Sequence, residues 1–237
     1  MKTLYLAQLW AALTTAPLAM GASEASHKLL YARPATRDFF DALPVGNGRL
    51  GAMIHGYMDK ELIRLNEQSI WSGGPMEKVP LTAKDNLQIL RQQILNGSRT
   101  EAGETWSQHF VPDYDDMRRY QPAGELRIDF PHEINSTSDY QRELNISNGI
   151  ASVSYRHRDV AYERESFGNY PHNILGFKLS GSGPGSLTFN VSLTRDLNVT
   201  HVYADAESGT MTLYAAGEED DTYRFASGAQ IMLSNGE

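Results

Sequence analysis

From Gly124 onward the chain is a succession of short strand-like segments with turn residues between them, and this pattern most limits how the chain can fold. The segments recur about every 10 to 14 residues, as in sandwiches and barrels. No helical period separates them, so a parallel βαβ sheet is not expected. The pattern predicts a mainly β fold, a large antiparallel β-sandwich. The expected strands are GELRIDF, YQRELNIS, IASVSYRH, VAYERESF, ILGFKLSG, SLTFNVSLT, NVTHVYA and TMTLYAAG.

The segment before Gly124 adds strands and one helical insertion. KLLYARPA, GAMIHGYM and ELIRLNEQSIW are strand-like, whereas residues 82–110 carry apolar side chains at helical spacing. Thr82 is expected to cap the first helix and Gly97 to end it. At the far end, residues 231–233 (Ile-Met-Leu) look like the start of another strand.

The first 22 residues have the features of a secretory signal peptide. Lys2 precedes the apolar run LYLAQLWAAL, and APLAMGA supplies small residues for cleavage. The chain has no cysteine, so a secreted form would have no disulfides. We therefore expect a secreted, extracellular glycoprotein. The candidate N-glycosylation sites are Asn96, Asn135, Asn145, Asn190 and Asn198.

Charge and motif content exclude several function classes. The net charge of -8 argues against nucleic acid and against an anionic membrane surface as partners. The seven histidines show no paired ligand spacing, and the acidic runs DYDD (113–116) and EEDD (218–221) do not have EF-hand spacing. No metal and no cofactor are expected.

The stretch LPVGNGRLGAMIHG (43–56) contains G-x-G-x-x-G, the pattern of a phosphate-binding loop. A dinucleotide fingerprint must follow a strand and open a helix, whereas this one follows Pro44 and opens a strand. A tight turn, with glycines where φ is positive or two backbones approach closely, is the favoured interpretation. Arg49 could then form an ion pair or reach a sugar.

A second candidate site is LNEQSIWSGGP (65–75). Asn66, Glu67 and Trp71 supply an amide, a carboxylate and a stacking ring, the groups that hold sugars. The alternative is that Trp71 is packed core and Asn66 a turn cap, and the residues alone favour that alternative.

Taken together, ALPVGNGRLGAMIHG, LIRLNEQSIWSGGP and the later run from QPAGELRIDF to HNILGFKL resemble the N-terminal domain of family 95 glycoside hydrolases, the α-L-fucosidase family. The resemblance covers most of residues 29–195 and implies a many-stranded super-sandwich. We place the domain at residues 29–237 and expect it to be truncated at its C-terminal end, since no closing element follows the strand-like run at 231–233. The resemblance also implies, elsewhere in a longer protein, an (α/α)6 barrel that hydrolyses fucosylated glycans with inversion. The family's catalytic residues lie in that barrel, so none is assigned here, and the chain alone is expected to be inactive.

Two other functions stay open. The chain could be a stand-alone carbohydrate-binding sandwich, or the N-terminal domain of a related glycoside phosphorylase or hydrolase. In each case Arg49, Asn66, Glu67 and Trp71 remain candidates for a substrate cleft or a domain interface.

Overall fold

The computed structural model describes residues 27–36, 38–72, 80–112, 119–217 and 223–234. The predicted signal peptide and both acidic runs lie outside these ranges. The described part contains 13 strands and two α-helices. The strands are β1 (Lys28–Tyr31), β2 (Leu43–Gly46), β3 (Leu50–Ile54), β4 (Lys60–Glu67), β5 (Gly124–Asp129), β6 (Thr137–Asn145), β7 (Ile150–His157), β8 (Val160–Asn169), β9 (Ile174–Gly181), β10 (Asn190–Thr194), β11 (Val199–Asp205), β12 (Thr210–Ala216) and β13 (Arg224–Gln230).

The strands form three antiparallel sheets, which confirms the predicted mainly β, sandwich-like fold. The first sheet has the order β1-β6-β7-β8-β9, the second β10-β5-β4-β3-β2 and the third β11-β12-β13. Apolar side chains alternate inward along the strands, and those of all three sheets meet in one core. Its fully buried members include Leu43, Ile54, Ile63, Ile128, Leu144, Ala151 and Leu213.

One buried ion pair joins the first two sheets. Arg164 on β8 donates to Glu61 on β4 across 2.8 Å, and both side chains are almost fully buried. The same guanidinium donates to the carbonyls of Tyr57 and Met58 and to the hydroxyl of Tyr155. Both terminal amino groups of Arg164 are therefore held by Glu61, by the segment that connects β3 to β4 and by β7.

The helical insertion is confirmed as α1 (Ala83–Leu95) and α2 (Arg99–His109), which pack against each other. Gly97 ends α1 as predicted, with φ +79° and its N–H donating to Ile94. The N–H of Ser98 reaches the carbonyl of Gln93, which completes a Schellman motif. Thr82 precedes α1, but its side chain makes no capping bond to the helix and donates instead to the carbonyl of His109. Within the described ranges, neither helix has the length and apolar character needed to cross a membrane.

Two strand predictions were wrong in detail. β13 occupies Arg224–Gln230, before the predicted apolar run, and residues 231–233 lie outside any strand. β10 begins only at Asn190, although the run was expected to start at Ser186. β13 falls at Arg224–Gln230 because these residues pair with β12. The N–H of Ile231 then donates to Gly209 in the turn that precedes β12.

Candidate functional site

The glycine-rich stretch forms the hairpin turn between β2 and β3, as predicted. Gly48 has φ +93°, a conformation that glycine adopts without strain. The side-chain oxygen of Asn47 accepts from the N–H groups of Arg49 and Leu50, at 3.1 and 2.8 Å. Asn47 also donates across the sandwich to the carbonyl of Asn169, at 3.0 Å. The turn is thereby fixed to the β8–β9 end of the first sheet, and Arg49 is placed at its tip.

Gly46, at the start of the turn, marks a close approach of the two sheets. It lies beside Gly168 of β8, where an added Cβ on Gly168 would come within 2.3 Å of the backbone of Gly46. The two sheets therefore touch backbone to backbone at this point. The G-x-G-x-x-G motif therefore forms a turn between two strands, and it leads into β3 and not into a helix.

Arg49 forms an ion pair with Glu67 at the end of β4. Its Nε lies 2.8 Å from Oε1 of Glu67, and the Arg49 side chain is 58% exposed. The other carboxylate oxygen accepts from both the N–H and the hydroxyl of Ser69, at 2.9 and 2.6 Å. Burial acts to raise the pKa of Glu67, but the bonds from Ser69 and Arg49 outweigh it and hold that pKa below its ordinary value. Glu67 is therefore a fixed anion at neutral pH.

Trp71 follows Glu67 by four residues and is half exposed. Residues 70–72 pair with residues 119–121, which places the Trp71 ring against that of Tyr120 with centroids 5.2 Å apart. The indole N–H donates to the carbonyl of Gln68, and the Tyr120 hydroxyl donates to the carbonyl of Glu67. Both rings are held by backbone acceptors while 48% and 43% of their residue surfaces stay exposed.

The structure thus brings together three of the four predicted site residues. We call the group formed by Arg49, Glu67, Ser69, Trp71 and Tyr120 the Trp71 surface. Asn66 is not part of it, because it precedes Glu67 in β4 and successive strand residues point to opposite faces. Asn66 pairs with Gly51 of β3, and its Cβ would lie 3.8 Å from a Cβ added there. The alternative that Trp71 is packed core is wrong, since the ring is half exposed.

Ser69 and Tyr120 are members of this surface that sequence reasoning missed. Ser69 lies inside the quoted motif and was visible as a hydroxyl two residues after a carboxylate. Tyr120 lies about 50 residues downstream, and no local pattern connects it to Trp71. A hydroxyl of a third ring, Tyr223, reaches the carbonyl of Ser69 at 3.3 Å.

Neither carboxyl group discussed above is suited to act as a general acid. Such an acid needs a raised pKa and access to the leaving group. The pKa of Glu67 is lowered, and Glu61 is enclosed between the sheets, where burial raises its pKa against the opposing effect of Arg164. The described residues include no group of His, Asp and Glu arranged to hold a metal ion. This arrangement can bind and position a ligand but has no evident acid for bond cleavage.

The candidate glycosylation sites are distributed over the surface. Asn96, Asn135, Asn190 and Asn198 are exposed, whereas Asn145 at the end of β6 is half buried. The amide of Asn198 donates to the carbonyl of Gly217 at 2.9 Å. Asn198 therefore has a structural partner that a glycan would have to accommodate.

The antiparallel sandwich thus presents an exposed aromatic and charged surface. Residues 29–237 match the family model described as glycosyl hydrolase family 65, N-terminal domain, and the chain belongs to that family. The shared element of this result and of the family 95 resemblance is the N-terminal domain of a glycoside hydrolase.

Individual relatives carry fucosidase names. The chain is 34% identical over 173 residues to "Alpha-L-fucosidase 2" of Arabidopsis thaliana, covering 72% of this chain and 20% of that protein. It is 33% identical over 144 residues to "Probable alpha-fucosidase A" of Aspergillus niger, covering 60% of this chain and 18% of that protein. The chain thus spans about a fifth of the length of the curated relatives it matches.

Proposed function

We propose that this chain is the N-terminal, non-catalytic domain of a secreted α-L-fucosidase of family 95. The observation that carries the proposal is its alignment, at about one third identity, with two proteins named as fucosidases. Most of each relative lies outside the aligned region. In the proposed protein an (α/α)6 barrel in that remaining part hydrolyses terminal α-L-fucosides with inversion.

The chemistry of the described residues is consistent with catalysis in another part of the protein. An inverting glycosidase needs a proton donor and a base separated widely enough to admit water. Glu67 is a fixed anion and Glu61 is inaccessible. The domain's contribution is then support of the barrel and of the rim of the substrate site, with the Trp71 surface on the side that faces the barrel.

The test reads the transcript past Glu237 and compares this chain with a longer protein encoded there on an aryl α-L-fucoside. We expect hydrolysis only by the longer protein, with NMR showing β-L-fucose as the first product because the reaction inverts. Hydrolysis by this chain alone would contradict the proposal that the domain is inactive without the barrel. Phosphate-dependent cleavage without hydrolysis would favour the related phosphorylase instead.

Secretion and glycosylation form a separate part of the proposal. Expression in a eukaryotic host should deliver the chain to the medium, with a mass that decreases on treatment with an N-glycosidase. Retention in the cell with an unmodified mass would contradict it. Peptide mapping would then show which of the five asparagines carry glycan.

The role of Trp71 is tested in the longer protein. Trp71→Ala should lower kcat/KM or the melting temperature, because the ring contacts either substrate or barrel. Unchanged kinetics together with an unchanged melting temperature would exclude both roles.

A further inference from the structure

The Trp71 and Tyr120 rings form an apolar corner rather than a flat patch. Their planes meet at 69°, edge to face, with centroids 5.2 Å apart. Each ring is fixed by a hydrogen bond from its own polar atom to the backbone, at 3.0 Å for the indole and 2.9 Å for the phenol. Their orientation is therefore set before any ligand arrives, and a ligand would meet two steeply inclined apolar surfaces.

The Arg49–Glu67 ion pair is connected to this corner through Tyr120, whose hydroxyl donates to the backbone carbonyl of Glu67. Arg49 uses Nε for Glu67, and its two terminal amino groups make no hydrogen bond to any of the residues that the structure describes. A guanidinium fork donates well to two adjacent oxygens. The carboxylate of Glu67, an acceptor, is anchored next to it by Ser69. The Arg49 guanidinium, a donor, and the Glu67 carboxylate, an acceptor, are thus in direct contact, and Glu67 is linked to the exposed Tyr120 ring.

This combination fits a neutral polyol with an apolar face better than it fits the centre of a protein interface. Interface cores are depleted of charged residues, whereas here an ion pair with 58% of the arginine side chain exposed is connected to the rings through Tyr120. The chain carries a net charge of -8, which disfavours an anionic ligand. A pyranose offers C–H groups on one ring face and hydroxyls at its edge, so it matches both halves of the surface.

The inclined second ring narrows the choice of sugar. If one aromatic ring covers the C–H face of a pyranose, the inclined ring meets a substituent at the edge of that face, such as the equatorial group on C5. An apolar substituent is favoured there, because a hydroxyl would lose water without gaining a partner. We propose that the Trp71 surface binds a terminal 6-deoxyhexose of a glycan, its methyl group against the aromatic corner and its vicinal hydroxyls on Arg49 and Glu67. This deepens the proposed function by assigning a sugar site to this domain, and it rests on that function for its biological setting.

The experiment measures binding by this chain directly. Methyl α-L-fucopyranoside is titrated while saturation-transfer NMR follows its methyl signal, with dissociation constants on the order of millimolar expected for one sugar unit. Methyl α-L-galactopyranoside differs only by a hydroxyl at C6 and should bind several-fold more weakly. Trp71→Ala should weaken binding of the fucoside at least tenfold, and Trp71→Phe should retain part of it.

A matched control uses the other described tryptophan. Trp106 on α2 is similarly exposed, at 52%, and also stacks on an aromatic neighbour, Phe110. Trp106→Ala should leave fucoside binding unchanged. Circular dichroism and thermal melting confirm that each variant is folded.

Three results would overturn the assignment. The first is no fucoside binding by the folded chain, and the second is binding that Trp71→Ala and Trp106→Ala affect equally. The third is equal affinity for the L-galactoside, which removes the methyl contact. If Trp71→Ala instead weakened only the association with the catalytic domain, the surface would be a protein interface. Hydrolysis by the longer protein is measured separately, so failure of the sugar site and failure of the proposed function remain distinguishable.

Discussion

Arg164 of β8 and Glu61 of β4 face each other across the interior at 2.8 Å, and this pair links the first sheet to the second. Removing one partner of a buried ion pair leaves the other charge without compensation. Arg164→Met should therefore lower the free energy of unfolding by about 3 to 5 kcal/mol. Denaturant unfolding followed by circular dichroism measures this loss.

The control for Arg164 is an ion pair at the surface. Arg127 lies 2.7 Å from Glu125, with its side chain half exposed. Solvent screens such pairs, so Arg127→Met should change stability only slightly. Equal losses of unfolding free energy from the two variants would mean that burial does not increase the contribution of the Arg164 pair to stability.

The close approach of Gly168 to Gly46 predicts opposite effects for two identical substitutions. Gly168→Ala would bring a Cβ within 2.3 Å of backbone atoms that cannot move alone, and should cost about 1 to 3 kcal/mol. Gly103→Ala, inside α2 with no atom within 4 Å, should instead stabilise by about 1 kcal/mol. Melting temperatures should shift in opposite directions, and a shift in the same direction would contradict the backbone contact between the two sheets.

Acid should destabilise the fold through His132. This ring stacks on His157 and bonds to the Tyr155 hydroxyl, and burial, followed by repulsion from His157, lowers its pKa. The unfolded chain then binds more protons than the folded one. Stability present above the ordinary histidine pKa of about 6.5 is lost as the pH falls below that value.

Melting temperatures between pH 7.5 and 5 test this dependence. His132→Gln should make the fall of the melting temperature with decreasing pH less steep. His55 is also buried with a lowered pKa, so part of the slope should remain in the His132 variant. A slope insensitive to His132→Gln would assign the acid sensitivity to other groups.

Asn47→Ala removes two local bonds and two bonds across the sandwich, to Asn169 and Asn173. The expected cost is about 1 to 3 kcal/mol, since each lost bond contributes on the order of 1 kcal/mol. Asn148 is a useful comparison, because its side chain accepts only a local bond, from the N–H of Ile150. Asn148→Ala should cost clearly less in the same unfolding experiment, and equal costs would mean that the cross-sheet bonds add nothing.

The sequence predicted those parts of the fold that depend on local pattern. The helical insertion and the strands IASVSYRH and VAYERESF, which form β7 and β8, followed from periodicity and turn residues. β13 was missed because its sequence, RFASGAQ, has weak hydrophobic alternation. Its strand character comes from pairing with β12, which local propensity does not report.

In the candidate site, too, sequence identified the residues that lie in local motifs and missed one that depends on pairing between distant segments. Arg49, Glu67 and Trp71 were singled out because they lie in two short motifs, at residues 43–56 and 65–75. Asn66 was grouped with them by proximity in sequence, although strand alternation sends it to the opposite face of β4. Tyr120 could not be found, since its contact with Trp71 depends on a bridge between distant segments.

The bond from Asn47 to Asn169 has a thermodynamic consequence for whatever meets the Trp71 surface. Because the turn that carries Arg49 is attached to both sheets, its conformational entropy is already lost when the domain folds. A ligand or partner that contacts Arg49 does not have to order a loop, and more of the contact energy appears as affinity. The glycine-rich turn is in this sense part of a rigid frame, and the role that Asn47 would have in binding at this surface is entropic, without direct contact to the ligand.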